Sequence, residues 1–392
     1  MNSLAVQAPR GPGAWRHTLL ALVESPDHVC CRYRIRAFAP ALQQAGWSLS
    51  CQPLEKGPLS RTFQLRRAAR FDAVVLQRKL LPVWQLRVLR RSARHLVFDF
   101  DDAVLYRDSN DPRGPQSRRR LRRFTETVRL VDTIVAGNDF LADCALRAGA
   151  QVDRVHVIPT CVDPRLYPMA RHEPATGPAD LVWIGSSSTL KGLDQARPIW
   201  ERLAQADPRL RLRVICDRFP RDFPLPIVPI PWEEASEARQ LAAGQIGVSW
   251  LPDDLWSRGK CGLKVLQYQA AGLPVIANPV GCQAEMISSG QTGILAATPA
   301  EWLDAVTLLA GDPRLRRQMG QSGRRRVETD YSLAAWAQTF VTSMTGSSQA
   351  VTVTTGPTWK VDWPAPACGR ARMEPHAGKL PQWSTLKPVG ER

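Results

Sequence analysis

Short apolar runs alternating with amphipathic stretches, repeated along most of the chain, restrict the fold more than any other feature of it. "TLLALVE" (18–24), "DAVVLQ" (72–77), "HLVFDF" (95–100), "DTIVAG" (132–137) and "RVHVIP" (154–159) have the length of strands and the continuous hydrophobicity of a sheet covered on both faces. Between them, "RIRAFAPALQQAG" (34–46) and "NDFLADCALRAG" (138–149) read as helices. This alternation predicts a doubly wound α/β domain. The pattern pauses in the polar, proline-containing stretch "PRLYPMARHEPATGPA" (164–179) and then restarts. Strands are expected at 180–185, 211–216, 226–230, 244–251, 273–278 and 292–296. Helices are expected at 193–206, 233–243, 261–271, 299–311, 313–328 and 331–344. The expected organisation is a disordered lead (1–15), a first domain (16–165), a linker (166–179), a second domain (180–330), a closing helix (331–345) and a disordered tail (346–392). Two such domains would face each other across a cleft with the C-terminal ends of their strands, where α/β sheets bind ligands.

Charge narrows the partners. The net charge of +16 makes an anionic partner plausible: nucleic acid, an acidic membrane face or a phosphorylated small molecule. The excess is uneven, since residues 1–170 hold 27 basic against 15 acidic side chains. Much of it is arginine, as in "LRVLRRSAR" (86–94) and "SRRRLRRF" (117–124). Solvated helix faces are the first reading of these runs, and a patch for a membrane surface or an acidic substrate is the second. The nine cysteines include no CxxC, so neither a zinc site nor a disulfide framework is suggested. The apolar run Leu19–Val23 is too short for a secretory leader, and no stretch reaches the ~18 apolar residues of a membrane span. The expectation is a cytoplasmic protein, with peripheral contact at the inner membrane face left open.

The chemistry should lie in loops that follow strands. In "WIGSSSTLKGLDQ" (183–195), Gly185 permits close backbone approach, Ser186 and Ser187 offer hydroxyls and N–H groups, and Lys191 opens a helix. That is a cradle for a diphosphate, or equally a serine-rich turn capping a helix. It is not GxxxxGK[ST], which disfavours a P-loop NTPase. In "GKCGLKVLQYQAAGLPVIANPVG" (259–281), the spacing puts Lys260, Lys264 and Gln267 on one helical face. Lysines at the positive end of a helix are unfavourable unless an anion sits there. Gly259 and Gly262 on either side of Lys260 suit close approach of a ligand. In the first half, Arg32, Tyr33 and Arg34 follow the first strand and are expected to face the cleft, as contacts to a phosphate or another acidic ligand, or as surface salt bridges. Asp99-x-Asp101 looks like a metal-binding DxD, but these acids end a parallel strand, so no metal is expected. Asp101 and Asp102 are placed to bond the hydroxyls of a ligand, or to cap a helix. Glu233, after "PIPW", complements the dipole of the helix it opens, and Trp232 precedes it. His28 and His95 lack partners at triad spacing, so no histidine base is expected.

"KCGLKVLQYQAAGLPVIANPVG…EMI..G.TGILA" (260–296), "GRRRVETDYSLAAWA" (323–337), "NDFLADCA", "VIPTCVD..LY" (157–167) and "WIGSSSTLKG" together resemble the nucleotide-sugar glycosyltransferases called family 4. The resemblance covers roughly residues 17–344 and is strongest from 131 onward. It implies two Rossmann-like domains in the GT-B arrangement, with acceptor on the first and nucleotide sugar on the second. It also implies a retaining, metal-independent transfer with no cofactor beyond the nucleoside-diphosphate sugar. The chain departs from that group's pattern in two places. The usual Gly-Arg is here Gly185-Ser186, and the usual Glu-x7-Glu falls on Gly259 and Gln267. Lys260 and Lys264 are expected to replace the missing cation, and Gln267 to bond ribose hydroxyls.

The reading is a glycosyltransferase acting on a saccharide or lipid-linked acceptor, as in cell-envelope polysaccharide assembly. Lys191, Lys260 and Lys264 would stabilise the leaving diphosphate, and the loop at 185–187, Trp232, Glu233 and Gln267 would bind the donor. Arg32, Tyr33, Arg34, Asp101 and Asp102 would meet the acceptor or sugar. The alternatives are a non-catalytic or nucleic-acid-binding protein with a basic surface, or a sugar-nucleotide epimerase-like enzyme. The chain lacks RNP, helix-turn-helix and zinc signatures, so no specific nucleic acid is expected.

Overall fold

In a computed structural model of the chain, residues 16–172 and 179–346 are described. The expected lead (1–15), the middle of the linker (173–178) and the tail beyond Gly346 lie outside them. Evenly apolar runs need partners on both sides, and they find them in two parallel six-stranded sheets. The first sheet comprises β1 (His17–Val23), β2 (Trp47–Pro53), β3 (Ala73–Gln77), β4 (Leu96–Phe100), β5 (Thr133–Ala136) and β6 (Val155–Val157), in the order β2-β1-β3-β4-β5-β6. The second comprises β7 (Asp180–Ile184), β8 (Arg211–Cys216), β9 (Ile227–Pro231), β10 (Ile246–Ser249), β11 (Val275–Ala277) and β12 (Gly293–Leu295), in the order β12-β11-β10-β7-β8-β9.

Helices cover both faces of each sheet. In the N-terminal lobe they are α1 (Val29–Arg34), α2 (Ala39–Gln44), α3 (Pro58–Arg67), α4 (Val83–Ser92), α5 (Arg118–Leu130) and α6 (Asp139–Arg147). The period-two alternation of β1 divides its side chains between the two layers. Leu20 and Leu22 pack with Leu65, Leu86, Phe124 and Leu141 of α3 to α6. Leu19, Ala21 and Val23 pack with Cys31 of α1, with Phe38 and with Leu42 of α2. The C-terminal lobe carries α7 (Lys191–Gln195), α8 (Arg197–Ala206), α9 (Glu237–Ala242), α10 (Leu263–Ala270), α11 (Gln283–Met286), α12 (Pro299–Gly311) and α13 (Pro313–Asp330). A last helix, α14 (Leu333–Thr345), returns to the first lobe. There Phe340 stacks on Phe38 with ring centroids 4.1 Å apart, and Met344 is fully buried. The two crossings between lobes are tied together, because Val162 exchanges backbone hydrogen bonds with Tyr331 and Leu333.

One strand goes unannounced by the sequence pattern and two local expectations fail, for identifiable reasons. β2, "WSLSCQP", is an edge strand with one protein neighbour, so its serines and glutamine break the apolar run that marks the other strands. The single helix expected at 34–46 is instead the last residue of α1, a 3-10 turn (Arg36–Phe38) and α2, because Pro40 suits only the first turn of a helix. Finally, α10 begins at Leu263. Lys260 therefore precedes the helix, in the turn that follows Ser257–Gly259, and does not share a helical face with Lys264 and Gln267.

Candidate functional site

Strand order fixes where a ligand can sit. In the C-terminal sheet β7 lies beside β10, and the chain leaves these neighbours toward opposite flanks of the sheet. In the N-terminal sheet β1 and β3 make the same divergence. A crevice opens at such points. The segments lining it are 185–191 and 250–264 on one lobe, and 24–34 and 78–82 on the other.

On the C-terminal side, the loop after β7 is already closed on itself. The Gly185 N–H donates to Ile215 O at 3.0 Å, Ser186 N–H to Thr189 Oγ1 at 3.2 Å, and Ser187 N–H to an Asp217 carboxylate oxygen at 2.6 Å. These amides are not free to cradle a phosphate, which corrects the expectation for 185–187 as backbone donors. Gly185 is explained without a ligand as well. A Cβ there would lie 2.6 Å from Thr189 Oγ1 and 2.7 Å from a carbon of the Trp183 ring. The cations nearby remain available. Lys191 stands exposed at the first position of α7, with no ionic partner among the described residues. Lys264, at the second position of α10, holds its ammonium 4.7 Å from the centroid of the Trp183 ring and has no carboxylate partner among the described residues. Burial, with the nearby charge of Lys260, pulls its pKa down to about 8.

Lys260 is held differently. Its ammonium pairs across the cleft with Asp102 at 2.9 Å and lies 5.1 Å from the centroid of the Trp256 ring. The flanking glycines admit protein and not ligand, contrary to expectation. A Cβ on Gly259 would sit 2.6 Å from the backbone nitrogen of Ala103, in the other lobe. Gly262 adopts φ +62°, and a Cβ there would press on Met286 and Cys282.

On the N-terminal side the charges are paired. Arg34 is buried, and it grips Asp99 through Nε at 3.0 Å and Nη2 at 2.6 Å while Nη1 donates to Ile158 O at 2.9 Å. Gln77 donates to the other Asp99 oxygen at 3.2 Å, so the apparent DxD has its first carboxylate occupied. Arg78 pairs with Asp101 at 3.3 Å and with Asp102. Beside them, burial and the Arg78 charge lower the His28 pKa, which keeps that ring neutral.

A second cross-lobe network surrounds Tyr33. Its hydroxyl donates to Glu237 Oε1 at 2.9 Å, lies 3.1 Å from the Tyr167 hydroxyl, and accepts from Gln267 Nε2 at 3.0 Å. Glu237 also accepts from Arg32 and, at 2.8 Å, from the Trp232 indole N–H. Arg32 adds Glu234 at 3.0 Å. Arg32, Tyr33, Trp232 and Gln267 thus meet in one place, with their polar atoms largely used on each other. Glu233 stays exposed at the edge of this group. Sequence reasoning missed Glu237, Tyr167 and Arg78. Glu237 sits four residues beyond Glu233 in an acidic run, and nothing there marks it as the buried member. Arg78 was discoverable as the first residue after a buried strand. Its φ of +57° puts it among the two described non-glycine residues with positive φ, a strain that persists when surrounding contacts hold it.

Residues 195–342 match the family described as "Glycosyl transferase-like". Among curated proteins, a glycogen synthase of Mycobacterium tuberculosis is 25% identical over 220 residues, covering 51% of this chain and 51% of that protein. The chain therefore spans about half the length of the curated relatives that it matches first. Among solved structures, a sucrose-phosphate synthase from Thermosynechococcus elongatus superposes with a TM-score of 0.64 at 16% identity, covering 83% of this chain and 97% of that one. The Anabaena protein HepE, in complex with UDP and glucose, gives 0.61 at 15% identity, covering 84% and 100%. The fold is the GT-B arrangement of two Rossmann-like lobes, and the glycosyl transferase-like match falls on the second lobe and the closing helix.

Proposed function

We propose that the protein is a glycosyltransferase that moves a sugar from a nucleoside-diphosphate sugar to a saccharide or lipid-linked saccharide. The observation that carries this is the unpaired Lys264, at the start of α10, beside the switch point of a glycosyl transferase-like lobe. An ammonium half-covered by protein, close to a second lysine and without a counter-ion, is costly unless an anion joins it. The UDP bound to HepE supports a nucleoside diphosphate as that anion. In this reading Lys264 and Lys191 hold the diphosphate and offset the charge that grows on it as the glycosidic bond breaks. Lys260 joins them when the donor draws it from Asp102. The acceptor lies against Asp101, Asp102 and Arg78, and its proton passes to the departing phosphate oxygen. Attack from the face that the phosphate leaves gives retention, and the lysines supply the positive charge that a metal ion would otherwise bring. Gln267 and Tyr33 hold the two lobes in register, which aligns acceptor with anomeric carbon and limits water.

Thermal unfolding in the presence of UDP, GDP, ADP and their sugars tests the reading. One nucleotide series should raise the melting temperature in proportion to the logarithm of its concentration, by mass action on the native state. If none does so at millimolar concentration, the donor site is misassigned.

A further inference from the structure

The basic excess of the N-terminal lobe is concentrated on one surface. Helices α3, α4 and α5 carry twelve arginines against one carboxylate, Glu126. None of the three has an acidic residue in its first turn. Arg118, Arg119 and Arg120 form the first turn of α5, where the helix's own partial positive charge opposes them. Arg120 and Arg123 spend themselves on the carbonyls of Val104 and Leu80. Arg118, Arg119 and Arg122 on α5, and Arg66 and Arg67 on α3, are exposed, with no ion pair or hydrogen bond among the described residues.

Large apolar side chains stand among these cations. On α3, Leu59 is 76% exposed and Phe63, one turn on, 63%. Trp84 at the start of α4 is 53% exposed, and Leu121 at the start of α5 is 49% exposed. The helix starts are neighbours. Gln85 donates to Pro58 O at 3.0 Å, joining α4 to α3, and Arg123 reaches Leu80 just ahead of α4. Each helix begins at the edge where the parallel strands end, so the patch borders the cleft on the side of Asp101 and Ala103.

We propose that this surface seats the protein on an anionic lipid bilayer, with the N-terminal rim of the cleft against the headgroups. The proposal rests on the reading of a lipid-linked acceptor and names the surface that would present it. Arginines pair with lipid phosphates, while Leu59, Phe63, Trp84 and Leu121 enter the shallow region between headgroup and acyl chain. A folded protein partner fits less well, because the core of such an interface is depleted of charge, and here arginines stand between the apolar residues. A nucleic-acid backbone would use the arginines but gives Leu59 and Leu121 nothing to bury against.

The test is co-sedimentation of the full chain with vesicles of phosphatidylcholine alone, or with about a third phosphatidylglycerol, at physiological salt. Two variants accompany it: Phe63→Ser with Trp84→Ser, and Arg118→Gln with Arg119→Gln and Arg122→Gln. Partition into the anionic vesicles should exceed that into neutral ones at least roughly tenfold, and each variant should lose about tenfold. All these side chains are exposed, so the variants should fold and keep the parent's nucleotide-dependent thermal shift. Equal partition into both vesicles, or unchanged partition of both variants, overturns the proposal. So does tight binding of duplex DNA through the same arginines without vesicle binding. A retained nucleotide shift with no vesicle binding sinks this proposal alone, and vesicle binding with no nucleotide shift sinks the donor site alone.

Discussion

The arginines and the lysines that line the cleft are used in opposite ways, and the lysines without a fixed partner stand on one wall. On the N-terminal wall each is spent on protein: Arg34 on Asp99, Arg78 on Asp101 and Asp102, and Arg32 on Glu234 and Glu237. On the C-terminal wall Arg258 is likewise paired, with Asp253, but Lys191 and Lys264 have no counter-ion among the described residues, and Lys260, like Arg32, reaches one only across the gap. Charge of one sign in one cleft therefore does two jobs. Arginine, with a planar fork and no loss of charge at accessible pH, suits fixed buried pairs. Lysine on the open wall can trade water or a single carboxylate for a phosphate.

The largest effect should come from breaking the fixed wall. Arg34→Met strands Asp99, which is fully buried, and should cost about 3–5 kcal/mol of stability by denaturant unfolding. The corresponding change on the open wall, Lys264→Met, should leave stability unchanged or raise it, because it removes an uncompensated cation from a helix start. If Arg34→Met unfolds no more easily than Lys264→Met, the distinction between the walls is wrong.

Binding should reverse that ranking. A charge-assisted contact to phosphate contributes roughly 1.5–3 kcal/mol. Lys264→Met should therefore weaken nucleoside-diphosphate binding about ten- to a hundredfold by calorimetry. Lys260→Met should weaken it less, since in the free protein that ammonium must first leave Asp102. Equal losses in the two variants would put Lys260 on the same footing as Lys264 and remove the competition with Asp102.

A third comparison concerns the contact between the walls. Gly259→Ala would put a methyl 2.6 Å from the Ala103 backbone nitrogen, and backbone does not yield as a side-chain tip would. The expected cost is about 1–3 kcal/mol of stability. The nucleotide Kd should stay near the parent value, because no donor contact is touched. A changed Kd with unchanged stability would return Gly259 to the ligand.

These contrasts also mark what could be read in advance. Strands whose side chains are buried on both faces, such as β3 "AVVLQ" and β11 "VIA", announce themselves by hydrophobicity alone. The edge strand β2 does not, because half its environment is solvent. Lys264 and Lys191 were visible as lysines at helix starts after strands. Their pairing state was not, because it depends on residues far away in the sequence. Nothing near Lys260 in the chain announces Asp102, and nothing near Tyr33 announces Gln267. Gly259 and Gly262 carried a true signal of close approach, but spacing does not say what approaches. Here it is Ala103 and Met286.

The smallest effect separates the walls by titration. Lys264 has a pKa of about 8 against an ordinary 10.5, so it exchanges its proton in an accessible range, whereas the arginines opposite do not. Between about pH 8 and 10.5 the unfolded chain binds more protons at this position than the native state does. The Lys264 contribution to stability must therefore rise with pH through that window, and its penalty is fully present below it. Donor binding runs the other way, because the phosphate needs the ammonium form. An intact nucleotide sugar has no diphosphate proton to lose near neutrality, so its Kd reports the protein. From pH 7 to pH 9 that Kd should rise by roughly tenfold, the fall in protonated Lys264 for a pKa near 8. Lys264→Arg should bind with a nearly flat profile over the same range. A parent profile equally flat would mean that the ammonium of Lys264 does not face the phosphate, and the open wall would then have to rely on Lys191 and Lys260.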